Sequence, residues 1–188
     1  MVEEMVSKFT TRDFTLIALL AALGMATKPV ITPVARMVAG PLSLPGGAVA
    51  GGFYMMWLII AHGLTGKAGS ATLVGVVQAA VAGALGMVGS HGATTVLTYT
   101  LPGLVADAVF LVPGPSKVGV GRAALAAGLA NLSGAALTSF LFFRLPFLPR
   151  VVTLVAGGIS GSLGGVLAMV IVRKLAKHSS RKNRGESM

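Results

Sequence analysis

The chain contains no cysteine and very little acid. Five Asp and Glu stand against fifteen Lys and Arg, and between Phe14 and Val172 the sole carboxylate is Asp107. The first absence excludes disulfides and thiolate metal sites. The second excludes the water-facing surface of an ordinary soluble domain, which carries acids throughout. No G-x-x-x-x-G-K-[ST] motif occurs. The nearest approach, Gly63 to Ala68, lacks both the spacing and the hydroxyl, so the chain does not hydrolyse ATP by that route. The polar groups within the apolar stretches are too few to converge as acids, bases or metal ligands, so no catalytic residue, no metal site and no cofactor is assigned. A buried acid–base relay of the kind proton-coupled carriers use is also missing, so uphill transport would draw its energy from a partner.

What fills the chain is hydrocarbon. Hydrophobic residues make up 54% and charged residues 11%, and the mean hydropathy is +0.85. Uncharged intervals run over Phe14–Thr27, Met37–Gly66, Ala68–Ala106, Ala123–Phe143 and Val151–Val172. A helix needs about 20 apolar residues to cross a bilayer. The pattern predicts an all-α, polytopic membrane protein with spans at 14–34, 46–64, 69–88, 93–112, 120–143 and 150–173. Turn-forming Gly and Pro separate them: Gly40–Gly47, Thr65–Gly69, Gly89–Gly92, Pro113–Pro115, and Pro146 with Pro149. Lys28, Pro29 and Pro33 predict a kink or unwound stretch in the outer half of the first span. The reading divides the chain into a cytoplasmic segment 1–13, a six-helix domain 14–173 and a basic tail 174–188. Eleven of the fifteen Lys and Arg fall on the side of the termini, leaving only Lys28, Arg36, Arg144 and Arg150 opposite. The positive-inside rule therefore places both termini in the cytoplasm. The net charge of +10 reads as stop-transfer and headgroup anchoring from Arg173 onward, not as nucleic-acid binding.

Small residues set the expected packing. Gly157, Gly161 and Gly165 share one face of the last span, and Gly75, Ala79 and Gly83 do so in the third. Such faces let membrane helices approach closely. Ala18, Ala22 and Ala26 form a third stripe, suited either to the bundle interior or to another protein. The in-span polar residues suit a pocket for one small organic molecule. Tyr54 and Trp57, three apart, would line it or pack the core. Gln78 is the polar group of the third span. His91, at the turn beside Ser90 and Thr94, is a lid or ligand group or a solvated loop residue. Asn131 must face a cavity or another helix, because an unpaired amide in lipid is costly. Asp107 would either bind ligand or cap and cross-link helices, toward Lys117 or Arg122. Lys28 and Arg36 lie in or under the first outer loop, where they would meet an anionic group if the substrate is phosphorylated.

Six spans in a short chain, the alanine stripe and a proline-rich first outer loop resemble the substrate-binding S component of an energy-coupling factor (ECF) vitamin transporter. The segments Gly52-Phe-Tyr-Met-Met-Trp57, Gly66-Lys-Ala-Gly69 and Gly103-Leu-Val-Ala-Asp-Ala-Val-Phe110 are most similar to the thiamine/hydroxymethylpyrimidine (YkoE-type) branch. The resemblance implies a multi-pass protein of a prokaryotic plasma membrane that binds a vitamin or precursor at the outer side. It also implies docking through Ala18, Ala22 and Ala26 onto a transmembrane T component driven by two ATPase subunits, the only users of ATP. That branch tends to carry an acid in the third span as well as the fourth, whereas here Gly75 and Gln78 occupy the third. A stand-alone carrier or facilitator and a non-transporting structural membrane protein are the alternatives.

Overall fold

The computed structural model describes residues 9–42, 44–86, 94–113 and 118–185, and among these six α-helices and no strand are found. The first helix, α1 (Thr11–Ala39), begins at a capping box. The Asp13 backbone N–H donates to Thr10 Oγ1 at 3.3 Å, and the Thr10 N–H donates to Asp13 Oδ2 at 2.8 Å. Lys67, from the connection between the second and third helices, pairs with the same carboxylate. The described chain then runs through α2 (Gly46–Thr65), α3 (Ser70–Ala84), α4 (Thr95–Leu111), α5 (Val120–Leu137) and α6 (Phe147–Gly185). A 3-10 turn at Gly40–Leu42 follows α1, and a π turn at Thr138–Phe142 ends α5. Gly66 closes α2 with φ +65, a left-handed conformation that favours glycine, and donates to the His62 carbonyl.

Backbone contact holds the bundle together. The helix α6 packs on α5 and α2, α4 packs on α3 and α5, and α1 packs on α2 and α3. A Cβ placed on Gly164 would fall on the Gly52 backbone, and one on Gly52 would fall on the Ser160 carbonyl. Ser160 reinforces this contact. Its hydroxyl donates to the Val49 carbonyl at 2.6 Å and accepts from the Gly52 N–H at 3.0 Å. The expected face of α6 is occupied as read: Gly161 meets the Ala127 carbonyl and Gly165 the Ala123 carbonyl. Lipid offers no hydrophobic push between helices, so this proximity and the few polar ties supply the association. Outward, Leu19, Leu23, Val30, Leu104, Val155, Ile159, Leu163 and Leu167 are exposed, as lipid-facing side chains should be.

Two expectations change. The helix α1 does not unwind at Lys28–Pro33 but continues to Ala39 with Pro29 and Pro33 inside it. Both rings lie on the exposed side, where they displace no packed neighbour. Gly83 meets nothing within 4 Å, so of the expected stripe on α3 Gly75, which sits on the Tyr99 carbonyl, and buried Ala79 are packed and Gly83 is not. Beyond the last span, α6 carries on as one helix through the basic residues to Gly185. Among the described residues four helices are long enough to cross a membrane, while α3 and α4 are shorter apolar helices. The 15 residues of α3 reach about 22 Å, against about 30 Å of hydrocarbon. The predicted ends of those two spans, at 88 and 93, lie outside the described residues.

Gly164→Leu should lower the unfolding temperature in detergent, by the equivalent of about 1–3 kcal/mol or more for an overpacked contact. Gly83→Leu, entering open space, should be near neutral. Circular dichroism melts of the two variants check this; equal losses would refute the backbone contact.

Candidate functional site

Five helices surround a cavity of about 320 Å³ in the half of the bundle away from the chain ends. The contributing positions recur at helical spacing: Lys28 and Thr32 on α1; Gly51, Tyr54, Met55 and Leu58 on α2; Gln78 on α3; Thr98, Tyr99 and Pro102 on α4; Asn131, Gly134 and Ala135 on α5. Thr138, the first residue of the π turn, completes the wall, and such turns often occur where a helix is reshaped for function. Two grooves along the outside of α6 are lined almost entirely by Leu, Val, Ile and Gly. They face lipid and offer a ligand no orienting group.

Lys28 is the sole charged residue among the described lining. Its Nζ lies 3.7 Å from the Tyr99 ring centroid and 5.2 Å from that of Tyr54, within cation–π range of both. Tyr54 is fixed by a hydrogen bond of 2.9 Å between its hydroxyl and Thr32 Oγ1. Gln78 is buried at 5% exposure and makes no hydrogen bond among the described residues, so its amide is unspent. Its Nε2 occupies the space a Cβ would take at Gly24 on α1. Asn131 is partly spent. Its Nδ2 donates to the carbonyls of Ala48 at 3.1 Å and Gly157 at 2.7 Å, tying α2, α5 and α6 together at the cavity.

Of the six residues expected from sequence, Tyr54, Gln78 and Asn131 meet at this cavity. Trp57 does not line it. Its ring packs edge-on to Phe53 and near Gly24, with Nε1 buried and unpartnered. His91 lies outside the described residues. Asp107 is a correction. Its carboxylate accepts from the Thr72 N–H at 2.8 Å, from Thr72 Oγ1 at 2.6 Å and from the Ala71 N–H at 3.4 Å. It therefore caps the N-terminus of α3 from α4. The cause is local: Gly69, the N-cap, has φ +92 and no side chain, so the acceptor must come from elsewhere. His62 lies beside it, with Nδ1 3.7 Å from Asp107 Oδ1 and its ring stacked on Phe110. Arg122 does not reach Asp107 either. Its Nη2 donates to the carbonyls of Val109, Phe110 and Val112 at the end of α4.

Thr32, Tyr99 and Thr138 were not singled out in advance, although the register holds the signal. Thr32 is four residues from Lys28, and Thr138 is seven from Asn131, each on the same helix face.

A mostly apolar cavity with a few convergent polar groups, inside a lipid-facing helical bundle, is the geometry of a membrane protein that handles a small molecule. The sequence model of the family described as "ABC-type cobalt transport system, permease component" matches residues 12–133. The chain belongs to this family. As an ABC-type permease component it is a multi-pass membrane protein of a transport family and not an enzyme. Its fold is similar to that of a solved structure described as an S-component of an ECF transporter. The TM-score is 0.75 at 19% identity, over 96% of this chain and 98% of that one. No curated protein matches the sequence.

Asp107→Ala should destabilise the protein by about 1–3 kcal/mol, through loss of the α3 cap and exposure of buried N–H groups. Small-molecule retention, followed by native mass spectrometry, should be unchanged. A ten- to hundredfold loss of affinity without a fall in stability would return Asp107 to the site.

Proposed function

We propose that the chain is the membrane-embedded, substrate-binding subunit of an ECF-type importer for a small organic molecule. The observation that carries this is the cavity, where the buried amide of Gln78 and the ammonium of Lys28, from two different helices, meet with no hydrogen-bond or ion-pair partner among the described residues. A structural membrane protein has no use for such unspent groups, each of which costs free energy in hydrocarbon. A T component and two ATPases would supply the energy. Ala18, Ala22 and Ala26 support that partnership, since all three are exposed on α1, flanked by exposed Leu19 and Leu23. With the termini cytoplasmic, as the Lys and Arg distribution argues, the cavity opens toward the outer half of the membrane.

The named substrates fit less well than the architecture. A cobalt ion would meet an ammonium, and no carboxylate or imidazole lines the cavity among the described residues. No metal-binding group of three or more His, Cys, Asp or Glu occurs among those residues either. Thiamine carries a permanent positive charge, and Asp107, the acid that would have balanced it, is committed to α3. Neutral hydroxymethylpyrimidine avoids the repulsion and is the better of the two vitamin candidates.

Ala22→Trp should abolish co-purification with a co-expressed T component while leaving the melting temperature and small-molecule retention intact. Full complex formation by the variant would refute the docking face. For the topology, a cysteine replacing Ser180 in this cysteine-free chain should label with an impermeant maleimide only after the cells are opened.

A further inference from the structure

Lys28 lacks a counter-charge, and the arithmetic of acids shows how completely. The described residues include two carboxylates. Asp13 is held by Thr10 and Lys67 at the start of α1. Asp107 is held by the N-terminus of α3. Both lie toward the termini end of the bundle, and neither lines the cavity. The ammonium instead rests on the Tyr99 ring, with Tyr54 beyond it. Two aromatic faces stabilise a cation by less than it costs to bring an ion out of water.

Resting on the substrate-binding reading above, we infer that the cavity takes a small organic monoanion, a carboxylate whose charge is neutralised by Lys28 and whose polar edge pairs with Gln78. One ammonium balances one negative charge, whereas a phosphate monoester would bring nearly two, with no second cation on the described lining. The volume of about 320 Å³ lies at the small end for ligand pockets, which limits the anion to about one ring and its substituents. Met55, Leu58, Pro102 and Ala135 supply the apolar wall for that body. The Gln78 amide offers one donor group and one acceptor to whatever stands beside the carboxylate. Truncating either partner leaves the other buried and unpaired, so both are needed for affinity.

The test uses three probes of one shape and three charges: benzoate, benzamide and benzamidine, each at millimolar concentration, with the full chain in detergent. Benzoate should raise the melting temperature of the wild type more than the other two. In Lys28→Met that preference should vanish, and in Gln78→Leu all three shifts should shrink. Without ligand, Lys28→Met should melt at or above the wild-type temperature, because an unbalanced ammonium has been removed; a merely structural lysine would give a fall. Any small molecule that native mass spectrometry finds retained by the wild type should be anionic and absent from Lys28→Met. Preference for benzamidine or benzamide, no shift from any probe, or a benzoate preference that survives in Lys28→Met overturns the substrate class. Co-purification of the wild type with its T component tests the subunit assignment separately, since that contact does not involve Lys28.

Discussion

The bundle depends on backbones that touch. Where α6 crosses α2 and α5, glycine at 52, 161, 164 and 165 brings main chain against main chain. Only at that separation can one side chain reach two neighbouring helices. Asn131 of α5 does so, donating to the carbonyls of Ala48 on α2 and Gly157 on α6, while Ser160 adds a second tie from α6 to the Val49 carbonyl. In water such hydrogen bonds exchange with solvent and add little. In hydrocarbon no water competes, so the polar ties and the close packing specify one arrangement between them. The cavity is the space these contacts leave on the side of α2 and α5 facing α1 and α4.

The same absence of water explains the caps. Helix ends leave N–H and C=O groups without intrahelical partners. At one end of the α3–α4 pair, Asp107 serves the N–H groups of Ala71 and Thr72, and Arg122 serves the carbonyls of Val109, Phe110 and Val112. Both charged side chains come from a neighbouring helix. They are spent on the fold, which is why Lys28, with no such task, stands apart among the in-span charges.

Hydropathy made the spans legible because the bilayer imposes a length that soluble cores do not. The glycine face of α6, the outward alanine stripe of α1, and Tyr54, Gln78 and Asn131 were readable for the same reason: few residue types have a purpose in lipid. The role of Asp107 was not. Its partners are the first amides of a helix that begins 37 residues earlier, at Ser70, and sequence spacing carries no information about which helix end a side chain will meet. The unwound stretch allowed for in α1 does not occur, although proline usually interrupts a helix. Pro29 and Pro33 sit on the face toward lipid, where the missing N–H disturbs no neighbour. The hydropathy of the third span continues past Ala84, where the described helix stops, and its expected end at 88 lies outside the described residues.

The uninterrupted course of α1 joins two features that might have been separate. The alanine stripe from Ala18 to Ala26 and the ammonium of Lys28 belong to one rod, with Ala18 and Lys28 about 15 Å apart along its axis. Were the helix broken at Pro29, Thr32 and the wall beyond it could adjust while the outer face stayed still. Because it is whole, a rotation or tilt imposed on the stripe from outside moves Lys28 relative to Tyr99 on α4. The rod is a lever whose far arm reaches into the cavity.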